Sequence, residues 1–209
     1  MHGRAMRHAA DGADVAVELE CKVAVASHDN LVEKLRAGGG EYLGRVIEIN
    51  RLFDNPQQAL LARGCGLRVR SVRVLEGYPE GVPATMTFKG PTQASAFKRR
   101  EEIELPIGDA NAMTRLLSEL DFFPWLTFEK RRSTWRLPPT GNATASCTIE
   151  LDELPRLGCF VEIEGPTEET IRQVANKIGI DTRNSISRSY AALVAEHLGA
   201  ATRPIELRF

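Results

Sequence analysis

The sequence predicts an α+β fold: about eight mostly antiparallel strands, enough to close a barrel, with helices packed on the outside. Three observations carry this reading. Eight separate runs have strand character, most of them alternating apolar and polar residues with the period of two of a half-buried strand. Four other runs have the longer repeat of amphipathic helices. Glycine and proline clusters punctuate the runs, with no linker and no internal repeat, so residues 15–200 read as one domain.

The first strand is expected at 15–25 (VAVELECKVAV). A helix follows at 28–38 (HDNLVEKLRAG), stopped by Gly38-Gly39-Gly40. Strands come next at 42–53, 66–75, 84–90 and 99–105, and YPEGVP (78–83) makes a loop before the third of these. The run 109–120 is an amphipathic helix with Asp109 placed to cap it. Strands at 127–137, 145–151 and 159–164 complete the sheet, with a hairpin loop at Pro138–Asn142. Helices at 168–178 and 187–198 finish the domain, and 201–209 reads as a tail. Residues 1–14 carry Arg4 and Arg7 and no continuous apolar stretch, so they read as a poorly ordered leader rather than a secretory signal.

Composition narrows the function. Among 209 residues, 27 Lys and Arg face 28 Asp and Glu, a formal net charge of -1, without the basic excess of a general nucleic-acid binder. No apolar run approaches the length of a membrane span. Cys21, Cys65, Cys147 and Cys159 include no C-x-x-C pair, which favours free thiols in a reducing cytoplasm. The four histidines are scattered, which argues against zinc or haem.

The informative feature is which residues share a strand face. Glu18, Glu20 and Lys22 oppose Val17, Leu19, Cys21 and Val23. The pattern recurs with Arg68 and Arg70; with Thr85, Thr87 and Lys89; with Arg100, Glu102 and Glu104; with Lys130, Arg132 and Thr134; with Thr148, Glu150 and Asp152; and with Glu162 and Glu164. Two arrangements produce it. A flat sheet packs one face on helices and wets the other. Alternatively, the sheet curls so that the charged face becomes a lumen. Glutamate and arginine dominate the face where a solvated one would be rich in Ser, Thr and Gln, which shifts the balance toward the lumen. Buried acids and bases would satisfy one another together with a highly charged ligand and metal. Arginine forks and lysine point charges suit a triphosphate, while carboxylates about 7 Å apart along a strand suit Mg2+ or Mn2+ bridging to phosphates.

In order along the chain stand E-x-E-x-K at Glu18, Glu20 and Lys22; Gly66-Leu67-Arg68-Val69-Arg70; Thr87-Phe88-Lys89-Gly90-Pro91; and Arg100-x-Glu102-x-Glu104. Glu129-Lys130-Arg131-Arg132-Ser133, Glu150-x-Asp152, the run Leu157 to Glu164 and Ser189-Tyr190-x-x-Leu193 follow. This series resembles the CYTH superfamily, the triphosphate tunnel metalloenzymes, over about Val15 to Leu198. The resemblance implies a closed triphosphate tunnel. It implies metal ligation by Glu18, Glu20 and Glu162, with Glu150, Asp152 and Glu164 in or near that shell. It implies triphosphate binding by Lys22, Arg68, Lys89, Lys130, Arg132 and Arg188, with Arg70 and Arg100 joining the lumen. For Arg70, Arg100, Glu102 and Glu104, structural ion pairing stays open. Lys22 is the candidate catalytic base, phosphate binding being its simpler role.

The family's D-x-Y-x-D pattern on the second strand is replaced here by Asn50-Arg51-Leu52-Phe53-Asp54. The runs FEKRRS, LPRLGCFVEIE and SRSY look most like class IV adenylate cyclases, which implies ATP conversion to cyclic AMP and pyrophosphate. A triphosphatase acting on thiamine triphosphate or tripolyphosphate is the alternative, and a non-catalytic polyphosphate or nucleotide binder is a further one. The implied partner is a small-molecule triphosphate, with no nucleic acid or membrane, and a homodimer is compatible with the resemblance.

Overall fold

The computed structural model describes residues 16–78, 81–139, 146–199 and 204–209. The leader and most of the Pro138–Asn142 loop lie outside the described residues. The elements run β1 (Ala16–Val25), α1 (Asp29–Ala37), β2 (Glu41–Asp54), α2 (Ala59–Ala62), β3 (Gly66–Glu76), β4 (Ala84–Lys89), β5 (Lys98–Ile107) and α3 (Ala110–Glu119). There follow β6 (Phe123–Leu137), β7 (Cys147–Leu154), β8 (Gly158–Glu164), α4 (Glu168–Ile178), a 3-10 turn (Thr182–Asn184), α5 (Tyr190–Leu198) and β9 (Ile205–Leu207).

Strands β1 to β8 form one antiparallel sheet in the order β2-β3-β4-β5-β1-β8-β7-β6, and β6 pairs with β2 to close it. Closure removes the edges and gives the sheet an inside. The period-two pattern then decides what goes there. On β1, Glu20 and Lys22 turn inward while Cys21 and Val23 join a core with α1 and α4, whose anchors are Leu35, Ile171, Val174 and Ile178. A second core packs Val69, Leu67 and Phe53 against Leu117 of α3. A third sits at one end of the barrel, where Tyr190, Leu193 and Val194 of α5 meet Phe128 and Phe160.

Helix starts follow capping chemistry. Asp109 accepts from the N–H groups of Asn111 and Ala112, Thr167 from Thr170, and Ser189 from Ala192. The register shift between Tyr42 and Gly44 depends on glycine. Gly44 has φ +141, and a Cβ there would meet the Glu76 carbonyl oxygen at 2.5 Å.

Several segments differ from the sequence expectation: α2 has no counterpart in it, and β7 runs on to Leu154. Strand β6 begins four residues earlier, because the irregular pairing at Leu52/Phe53 absorbs Pro124 and breaks the alternation there. Helix α5 begins at Tyr190, with Ser187 and Arg188 lying before its cap. The tail contributes β9, parallel to Leu126–Phe128 of β6 where β7 does not reach, so that edge is covered.

Candidate active site

The inward faces line a cavity of about 1000 Å³. Glu18, Glu20, Lys22, Arg68, Arg70, Lys89, Arg100, Lys130, Arg132, Glu150, Glu162, Glu164 and Arg188 all line it. Cross-strand register brings acids and bases from distant sequence together: Glu18 opposite Arg100, Glu20 opposite Lys98 and Glu164, Lys22 opposite Glu162, and Glu150 opposite Glu162.

The half of the lumen beneath α5 is dense with ion pairs. Arg132 bridges three acids: it contacts Glu150, donates to Asp152 at 2.7 and 2.6 Å, and donates to Glu162 at 2.6 Å. Lys130 reaches Asp152 at 3.0 Å and Glu48 at 3.4 Å, and Lys22 reaches Glu162 at 3.2 Å. The Tyr190 hydroxyl donates to Asp152 at 2.9 Å. Burial works against the Glu162 carboxylate, yet Lys22, Lys130 and Arg132 hold it well below the usual range. Glu48 follows the same logic, with Lys130, Arg132 and Arg70 outweighing its burial. Burial lowers Lys22, with Glu162 opposing.

Asp152, placed in or near the metal shell by resemblance, is fully buried and does not line the cavity. Its two oxygens accept from Lys130, Arg132 and Tyr190. Glu150, Asp152 and Glu162 do offer oxygens within 4.8 Å of one another, a spacing that suits a cation. In this structure the Arg132 guanidinium fills that role.

The other half is more open. Lys89 lies between Glu18, at 3.3 Å, and Glu102, and burial beside Arg68 lowers it to about 8. Arg100 lies 3.2 Å from Glu102 and 3.9 Å from Glu18. Arg68 and Arg70 reach Glu104, and Arg70 reaches Glu48 at 3.2 Å, so Arg70, Arg100, Glu102 and Glu104 are all ion-paired in this structure. Both arginines nonetheless bury an Nε donor with no partner among the described residues. Glu164 is exposed, and its side chain makes no hydrogen bond or ion pair among the described residues. Partial desolvation, then repulsion from Glu18 and Glu20, raises its carboxyl.

The donor chemistry of Glu18, Glu20 and Glu164 suits a divalent cation, although the oxygens that already lie within 4.8 Å of one another are those of Glu150, Asp152 and Glu162. Glu18, Glu20 and Glu164 sit on neighbouring strands, offer hard oxygen donors, and carry mutual repulsion that a divalent cation would relieve. Arg188 stands at the cavity rim, its side chain 56% exposed and paired with Glu196.

Sequence reasoning passed over Glu48 and Lys98, both inward and buried, and assigned no role to Tyr190. Lys98 extends the Arg100–Glu104 face by one step and contacts Glu20, so period-two counting could have found it. Glu48 lies two residues before Asn50 on the same face and was equally findable. In the altered second-strand pattern, Asn50 is buried on the lumen with its Oδ1 unpartnered. Asp54 instead accepts from the N–H groups of Asn55, Leu60 and Leu61, holding α2 and the turn before it.

Comparison with known proteins agrees with this architecture. The family model described as CYTH domain matches residues 16–190. A Methanocaldococcus jannaschii protein named "Putative adenylate cyclase" is 23% identical over 85% of this chain and 98% of its own. A Pyrococcus horikoshii OT3 structure aligns with TM-score 0.70 at 27% identity, covering 86% of this chain and 99% of that one. A Hippeastrum protein described as revealing a dominant triphosphatase activity aligns with TM-score 0.59 at 18% identity, covering 87% and 96%. Among the described residues, no helix is long and apolar enough to cross a membrane.

Proposed function

Because the chain belongs to the CYTH domain family, we propose that it is a metal-dependent enzyme acting on an organic triphosphate, and that its reaction is cyclisation of ATP. Members of the family generally act on triphosphates and depend on a metal. The observation that carries the triphosphate reading is the set of cations on the lumen, two of which, Arg68 and Arg70, bury idle Nε donors. Buried donors without partners are costly, and phosphate oxygens would supply what they lack.

Residue roles follow from placement. Arg68, Arg70, Lys89 and Arg100 would take phosphate oxygens in the open half, with Lys22, Lys98, Lys130 and Arg132 facing them from the buried half. Each cation now rests against a carboxylate, so phosphate binding keeps the cation paired while the carboxylate it leaves would gain a metal ion as its new partner. Glu18, Glu20 and Glu164 would hold Mg2+ or Mn2+, with Glu150 and Glu162 beside them. Such an ion, when bound, neutralises charge developing on the phosphoryl oxygens. Lys22, lowered by burial, is the candidate to accept a proton, though its pairing with Glu162 favours the phosphate-binding role.

An organic substrate is supported by the remainder of the same cavity. Leu52, Leu61, Trp125, Ala191 and Ala195 line it alongside the charged residues. A bare tripolyphosphate would leave that apolar wall wet, whereas a base and sugar would cover it. With the organic part seated there and the β- and γ-phosphates on the cations, the α-phosphorus faces the ribose, as in-line attack by its hydroxyl requires. The name of the M. jannaschii relative supports the same reading. The triphosphatase reading is supported by the likeness to the Hippeastrum fold. Product analysis with Mg2+ or Mn2+ decides between them. Cyclic AMP and pyrophosphate in equal amounts from ATP is the expected result. Orthophosphate from ATP, thiamine triphosphate or tripolyphosphate, without cyclic nucleotide, would establish the triphosphatase instead. Tight binding without turnover would leave a sensor.

A further inference from the structure

The contacts of Tyr190 exceed what anchoring a helix requires. Its ring face lies 4.3 Å from the Lys22 ammonium and 4.8 Å from that of Lys130, measured to the ring centroid. Its hydroxyl donates to Asp152, the acid that also holds Lys130 and Arg132. One side chain therefore touches, directly or through Asp152, three of the cations on the lumen.

The ring is itself fixed from several sides. Phe160 meets it edge-on, with centroids 5.4 Å apart and planes at 79°. The preceding segment is tied to β1 at the residue concerned, because the Ile186 N–H donates to the Lys22 backbone carbonyl at 2.7 Å. Ser189 then caps the helix that carries the tyrosine. A ring so held presents its negative face to two ammonium groups that are almost wholly buried, where that attraction is stronger than at an exposed site. Burial and Asp152 keep its phenol protonated, so it adds no competing charge.

We propose that Tyr190 is a positioning residue for triphosphate binding, its ring holding the Lys22 and Lys130 ammonium groups in place on the lumen while its hydroxyl fixes Asp152. This rests on the reading that the lumen binds a triphosphate. Without the ring, both lysines would be left to the carboxylates on which they already rest, among them Glu48, Asp152 and Glu162. The electrostatics of the face, rather than the shape of the side chain, does the holding.

That distinction defines the test. Tyr190→Phe keeps ring and shape and loses only the hydroxyl. Replacing Tyr190 with 3,4,5-trifluorophenylalanine keeps nearly the same shape and drains the ring face. Binding of inorganic tripolyphosphate with Mg2+ is measured by titration calorimetry, alongside the melting temperature of each variant. Tyr190→Phe should bind within about threefold of the unaltered protein. The fluorinated variant should bind about tenfold more weakly than Tyr190→Phe, at an equal melting temperature. In a Lys130→Met background the fluorination penalty should shrink. Equal affinities for the Phe and trifluoro variants, in a protein that does bind tripolyphosphate, would overturn the positioning role and leave Tyr190 a core anchor. If the unaltered protein binds neither tripolyphosphate nor ATP, the triphosphate reading falls, and the positioning role with it.

Discussion

The two halves of the lumen carry similar charges and treat them differently. Beneath α5, Glu48, Asp152 and Glu162 are buried, and each touches at least two cations or a cation and a hydroxyl. At the open side, Glu18 and Glu104 are partly exposed and Glu164 has no cation in contact among the described residues. A carboxylate whose oxygens are filled by guanidinium, ammonium and phenol is committed to holding those groups in place. One facing only other acids is available to a ligand. Glu18 and Glu104 also touch two cations each, so burial separates them from the saturated acids, and Glu164 stands apart in having no cation in contact among the described residues.

Substitutions can break this comparison. The largest effect is expected from Asp152→Ala. It takes a carboxylate from both Lys130 and Arg132, leaving them Glu48 and the Glu150–Glu162 pair, and strips the Tyr190 hydroxyl of its acceptor. Removing one partner of a buried pair costs about 3–5 kcal/mol. Urea unfolding at pH 7 measures it, and a loss below about 1 kcal/mol would show that the buried half is looser than its contacts imply.

Glu164→Gln should behave in the opposite way. It relieves repulsion from Glu18 and Glu20, so the urea midpoint at pH 7 should hold or rise slightly. The sign follows from a raised folded-state pKa. An acid of that kind opposes folding once ionised, and the penalty disappears as pH falls toward the ordinary carboxylate range. The gain should therefore fade at about pH 4. Metal-dependent turnover, by contrast, should be lost. Retained turnover would remove Glu164 from the metal site and undo the contrast between the halves.

Arg188→Ala should change stability least, by about 0.5 kcal/mol or less, because its pair with Glu196 is exposed. If Arg188 swings onto a bound triphosphate, KM should rise several-fold while the melting temperature stays put. An unchanged KM would assign it to the surface alone.

Much of the lumen was legible beforehand because a strand sorts its residues by parity. Glu18, Glu20 and Lys22 had to share a face whatever the fold, as did Arg68 and Arg70. Lys98 lies one residue before the stretch that alternation delimits, and Glu48 stands just outside the altered Asn50–Asp54 pattern, so neither is marked by its immediate neighbours. The family pattern grouped Asp152 with Glu150 as acids alike. Their difference, one sealed under Tyr190 and one lining the cavity, depends on a helix that begins 38 residues after Asp152.

By itself the sequence determined the alternation, the helix caps at Asp109 and the inventory of charges, because these depend on neighbours within a few residues. Only the tertiary structure decided that the charged face is an inside, since that requires β2 to meet β6 and close the barrel. It also decided which carboxylates were spent. Register brought Glu162 opposite both Lys22 and Glu150, and α5 then lowered Tyr190 over one end of the lumen. Charge balance is a property of neighbours in space, and those neighbours come from eight strands and a helix that the chain order keeps apart.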